Sequence, residues 1–75
     1  MRECLVDARK LLCPMPVIRL QDQVQHLQKG DIVKVLFTDP GGQYDIPAWC
    51  RINGHSLIDC SQKEFEYVIT LEVGE

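Results

Sequence analysis

The spacing of apolar residues changes along this chain, and each change marks an element. From Cys4 to Ala8, apolar Leu5 and Val6 stand ahead of polar Asp7, which predicts a short first strand. Residues 9–13 break the pattern and form a loop. From Pro16 the period becomes helical. Val17, Leu20, Val24 and Leu27 recur at three- and four-residue steps, with Arg19, Gln21, Asp22, Gln23 and Gln25 between them. That helix buries one stripe. Lys29-Gly30 is expected to close it, because glycine takes the left-handed conformation that commonly ends a helix. Ile32 to Thr38 is nearly all apolar, which predicts a central strand covered on at least one face.

Asp39-Pro40-Gly41-Gly42 predicts a turn. A shorter helix is expected from Asp45 through Ile52, with Asp45 as its N-cap, Pro47 in its first turn and Asn53-Gly54 as its stop. Ser56 to Ser61 reads as a third strand and Gln62-Lys63 as a hairpin tip. The last segment sets Phe65, Tyr67, Ile69, Leu71 and Val73 on one face. Glu64, Glu66, Thr70 and Glu72 take the other, and Val68 is the apolar exception. The predicted order is βαβαββ. It makes an α+β fold, a two-layer sandwich in which a mixed four-stranded sheet carries two helices on one face. The first strand–helix–strand unit should be a right-handed parallel crossover, and the last two strands an antiparallel hairpin.

Seventy-five residues are expected to form one domain spanning 1–75. Apolar residues make up 45% and charged residues 25%, the composition of a soluble globule. No apolar run approaches the roughly 18 residues of a membrane span. The first residues lack an apolar stretch with a cleavage site, so a cytoplasmic chain is expected, with Cys4, Cys13, Cys50 and Cys60 as thiols. The net charge of −3 is uneven: residues 1–37 carry six bases and four acids, residues 38–75 two bases and seven acids. No block of like charge is long enough for a nucleic-acid arm, so neither direct nucleic-acid binding nor membrane association is expected.

Chemistry concentrates in Arg9-Lys10-Leu11-Leu12-Cys13-Pro14-Met15-Pro16, between the first strand and the first helix. If the helix starts at Pro14, Cys13 is its N-cap and faces the positive end of the helix dipole. The donors left near sulfur are then the N–H groups of Cys13 and Met15. Arg9, Lys10 and Arg19 are near in sequence, and cations lower a thiol pKa. Pro16 disfavours helical geometry at Met15, and a start at Pro16 would leave Cys13 outside the cap. Cys4, Cys50 and Cys60 read as small buried hydrophobes. The cysteines lie 9, 37 and 10 positions apart, too scattered for a zinc site or a Cys-x-x-Cys dithiol. His26 reads as a solvated or half-buried helix residue and His55 as a helix-exit residue.

Cys13-Pro14-Met15-Pro16 follows Asp7-Ala8-Arg9 and precedes an amphipathic helix. Thr38-Asp39-Pro40-Gly41, Asp45-Ile46-Pro47-Ala48-Trp49-Cys50 and Gly54-His55 come after it. In that order, over essentially the whole chain, the sequence resembles the TusA/SirA-like sulfur carrier (sulfurtransferase) family. The resemblance implies the βαβαββ fold. It also implies that Cys13 carries sulfur as a persulfide, taken from a donor of the cysteine desulfurase or rhodanese type and passed to an acceptor protein. Pro14 and Pro16 would shape the helix start, and Arg9 and Lys10 would favour the anionic sulfur. Asp39 and Asp45 would meet a basic partner, unless they serve only as turn residue and helix cap. No cofactor and no metal are expected. Lys10 departs from the family pattern, which usually has glycine three positions before the motif cysteine. A second reading is a non-catalytic interaction or regulatory module of the same fold, with Cys13 as a structural helix cap.

Overall fold

The computed structural model describes residues 2–74. Its elements run β1 (Glu3–Ala8), α1 (Met15–Val24), β2 (Ile32–Phe37), α2 (Gly42–Asn53), β3 (Ser56–Lys63) and β4 (Glu66–Glu72). The four strands form one sheet in the order β1-β2-β4-β3. β1 and β2 are parallel, and β4 is antiparallel to both of its neighbours. This is the expected mixed sheet and βαβαββ order.

The sheet's inner face is written by alternation. Cys4, Val33 and Leu71 lie in one cross-strand row, Val6, Val35 and Ile69 in the next, and Ala8, Phe37 and Tyr67 in the third. Eight of these nine are buried. Leu20 of α1 and Ile46 and Cys50 of α2 join the same cluster, so both helices lie on this face. Full burial of such an aliphatic side chain stabilises by roughly 1.5–3 kcal/mol. The opposite face carries Asp7, Lys34, Thr70 and Glu72 and stays open to water. No helix among the described residues is long and apolar enough to cross a membrane.

Several boundaries differ from the sequence expectation. α1 stops at Val24 rather than near Lys29. The N–H groups of His26 and Leu27 bond back to Gln23 and Val24 at 3.0 Å, a tighter three-residue step. That step still leaves Leu27 packed on the core, so the apolar period outlasts the regular helix. α2 begins at Gly42 with Gly41 as its N-cap, so Asp45 is not the cap and Pro47 lies inside the helix. β3 runs to Lys63, and the hairpin tip is Glu64-Phe65 rather than Gln62-Lys63. Lys63 pairs with Glu66 across it, and Glu64 supplies a left-handed residue at φ 57°. Neither tip residue is a usual choice for such a turn, so the sequence carried no signal for it. Phe65 is therefore 85% exposed and does not continue the buried row of β4.

Asp31 gathers the chain at the other end of the sheet. Its carboxylate accepts from the N–H of Arg2 at 3.1 Å and of Gln28 at 2.9 Å, which holds its pKa below the ordinary carboxylate value.

Gly42 sets how closely α2 approaches the sheet. A Cβ there would lie 2.7 Å from the Phe37 ring, which is itself stacked on Tyr67 at 5.1 Å. At Gly41 a Cβ meets Cys13 Cβ at 3.5 Å, an ordinary contact. Gly42→Ala is therefore expected to destabilise by about 1–3 kcal/mol and Gly41→Ala by much less. Urea unfolding midpoints of the two variants, measured side by side, check the contrast.

Candidate functional site

Parallel pairing of β1 and β2 brings their C-terminal ends together, with Ala8 beside Phe37. The loops that follow must meet at that end of the sheet. Lys10 N–H donates to Thr38 Oγ1 at 2.8 Å, and Cys13 N–H donates to Asp39 Oδ2 at 2.6 Å. Asp39 Oδ1 also accepts from Gly41 N–H at 3.3 Å, and its carbonyl accepts from Gly42 N–H at 3.0 Å. One aspartate thus closes the turn ahead of α2 and anchors the cysteine loop to it. Asp45, in the first turn of α2, accepts a hydrogen bond from Cys13 Sγ. Cys13 is exposed. The Cys13–Pro14 peptide is cis.

Cys13 does not cap α1. Pro14 is the N-cap, without a side-chain cap bond, and regular helix starts at Met15 with Pro16 at its second position. Cys13 lies one residue outside. The expected backbone donors are also spent elsewhere: Cys13 N–H on Asp39, and Met15 N–H on Leu12 carbonyl oxygen at 2.8 Å. This removes the structural-cap role on which the second reading of the sequence relied.

The electrostatics reverse the sequence expectation. Arg9 forms a bidentate pair with Asp7, Nε to Oδ1 at 2.9 Å and Nη2 to Oδ2 at 2.8 Å. It also reaches Glu66 at 3.7 Å across the open face of the sheet. That pairing holds Asp7 down at about 2 and pushes Arg9 above its ordinary value. Neither Arg9 nor Lys10 is among the groups that act on the thiol. The Asp45 hydrogen bond, partial desolvation and the charges of Asp45 and Asp39 push Cys13 up to about 11. Sequence proximity misled here because Asp7, two residues before Arg9, turns the guanidinium away.

Lys10 has φ 66°. The departure from glycine therefore falls at a left-handed residue, where a side chain is strained by about 1–2 kcal/mol. Among the other cysteines, Cys50 is 1% exposed and burial raises its thiol to about 11. Cys4 is half-buried. Cys60 is exposed on edge strand β3, every residue of which is exposed, so the expectation of a buried residue fails there. His26 follows α1 and His55 follows α2, at the helix ends opposite Cys13. His55 Nδ1 accepts from Gly74 N–H at 3.0 Å. Sequence reasoning named Asp39 and Asp45 as partner contacts, turn residue or cap, and missed that both touch the cysteine.

The fold and an exposed thiol at a helix start define a small α+β protein with one chemically distinctive loop. The family model described as Sulfurtransferase TusA matches residues 5–73, and the chain belongs to that family. The sulfur carrier protein TusA of Pseudomonas aeruginosa is 36% identical over 66 residues, covering 88% of this chain and 84% of that protein. Its counterpart in Pseudomonas putida is 36% identical, covering 88% and 82%. A solved SirA-like protein from Desulfitobacterium hafniense has the same fold, with a TM-score of 0.84 at 24% identity over 96% of this chain and 99% of that one.

Two outcomes follow from this geometry. Alkylation of Cys13 by iodoacetamide, mapped by peptide mass, should be slow near neutral pH for an exposed thiol and rise through a midpoint near 11. Lys10→Gly should stabilise, by at most about 1 kcal/mol, because relief of the left-handed strain exceeds the entropy glycine adds to the unfolded chain. Thermal unfolding of the variant measures this.

Proposed function

We propose that this protein is a sulfur carrier in which Cys13 holds the sulfur as a persulfide. The observation that carries this reading is the position of Cys13. It is the family's motif cysteine, exposed in a loop and flanked by Leu12, Pro14 and Met15, all exposed. A thiol so placed is open to a cysteine of another protein, whereas Cys50 is closed off inside the core.

The transfer is a thiolate exchange. Cys13 thiolate attacks the terminal sulfur of a donor persulfide; the new S–S bond forms as the donor's S–S bond breaks, and the donor cysteine leaves as a thiolate. An acceptor thiolate then takes the terminal sulfur from Cys13 in the same way, and Cys13 leaves as the thiolate. Each step conserves sulfur and electrons, so no external oxidant or reductant is needed. A cysteine desulfurase or a rhodanese fits the donor's chemistry, and any protein with an accessible nucleophilic cysteine fits the acceptor's. Pro14 and Pro16 fix the backbone on the C-terminal side of the sulfur, and Asp39 fixes the N-terminal side through Cys13 N–H.

Incubation with a cysteine desulfurase, cysteine and pyridoxal phosphate should add the mass of one sulfur atom to the intact chain. Peptide mapping should place it on Cys13. Cys13→Ser should remain folded by circular dichroism and take up none. Sulfur found on Cys60 instead, or retained by Cys13→Ser, would overturn the assignment.

A further inference from the structure

Free Cys13 sits between two carboxylates: Asp45 holds its Sγ by a hydrogen bond, and Asp39 holds its N–H. A carrier that attacks a persulfide needs the thiolate, yet both acids disfavour an anion on that sulfur. Among the described residues no cation forms an ion pair with either acid. Arg9 is taken by Asp7 and Glu66, and Lys10 and Arg19 line a pocket together with those three residues.

The surroundings of the thiol say what must cover it. Leu12 is 75% exposed, Met15 42% and Tyr44 72%, an apolar rim that adjoins Cys13 and Asp45 along the chain. A protein docking on that rim excludes water from the centre. Burying Asp39 and Asp45 without a counter-charge is costly, so a stable complex requires the partner to supply one. The same counter-charge cancels the field that keeps the sulfur protonated. Docking and ionisation are thereby coupled through the two carboxylates.

We propose that Asp39 and Asp45 keep Cys13 protonated in the free carrier, and that an arginine- or lysine-bearing surface of a sulfur-transfer partner releases the thiolate by pairing with them. On release the Sγ proton leaves to solvent and the electron pair stays on sulfur. The two aspartates are positioning residues that act through the cysteine. The gate rests on Cys13 being the sulfur-bearing residue, but its test involves no sulfur transfer, so the two readings fail separately.

The test follows the pH midpoint of Cys13 alkylation in the full chain, by peptide mapping, with hexa-arginine at low ionic strength as the probe. Asp45→Asn should lower the midpoint by about one unit or more, and Asp39→Asn by less. Near pH 8, hexa-arginine should speed wild-type alkylation by about threefold or more, and hexa-glutamine should not. The acceleration should vanish in about 1 M salt, where the Debye length is near 3 Å, and in the double Asp39→Asn/Asp45→Asn variant. The wild-type peptide experiment requires no variant to fold. An unresponsive wild type, equal acceleration of the double variant, or an unmoved midpoint in folded Asp45→Asn protein would each overturn the proposal.

Discussion

Everything at the functional end of this protein depends on the parallel pairing of β1 with β2. Parallel neighbours end on the same side of a sheet, so the segments leaving them share one edge. Here those segments are the cysteine loop and the turn into α2, and the register sets Ala8 beside Phe37. From that pair onward, the N–H groups of Lys10 and Cys13 donate to the side chains of Thr38 and Asp39, which tie the two segments together beyond the sheet. An antiparallel arrangement would have placed the two segments at opposite ends.

Packing then brings in the second acid. α2 starts over Phe37, where Gly42 leaves no side chain between helix backbone and ring. That close approach puts the first turn of α2 against the cysteine loop and Asp45 against Sγ. The thiol is consequently held in a negative setting at the surface. A carrier must avoid spending its nucleophile on small oxidants or electrophiles between encounters, and a protonated sulfur meets that need. The cost is slow attack by the free protein, which in the proposed gate a partner of the right charge removes.

The arrangement also separates two roles that the sequence merges. Arg9 and Cys13 are four residues apart, yet Arg9 belongs to the open face of the sheet and Cys13 to the helix layer's rim. The boundary between them is Lys10, whose left-handed backbone turns the chain from one surface to the other. The hydrogen bond from its N–H to the Thr38 side-chain hydroxyl, rather than a favourable residue at that position, holds the turn.

The apolar periods by themselves determined the element order, the mixed sheet, the two-helix layer and most of the core. Val6, Leu20, Val35, Ile46 and Ile69 are buried because their spacing matches the face that the core requires. The Cys-Pro-Met-Pro segment likewise singled out Cys13 as the distinctive thiol. The ends of elements were less legible, because backbone hydrogen bonding extends or tightens a turn without changing residue type. Leu27 lies beyond α1 on that account, and Phe65 lies at a hairpin tip instead of in a strand. The charge around the sulfur was not legible at all. In the linear chain the residues near Cys13 are bases, whereas Asp39 and Asp45 lie 26 and 32 positions away. Only the parallel sheet and the packing of α2 on Phe37 bring those acids to the sulfur and leave Arg9 with Asp7, because electrostatic influence follows distance in space, not separation along the chain.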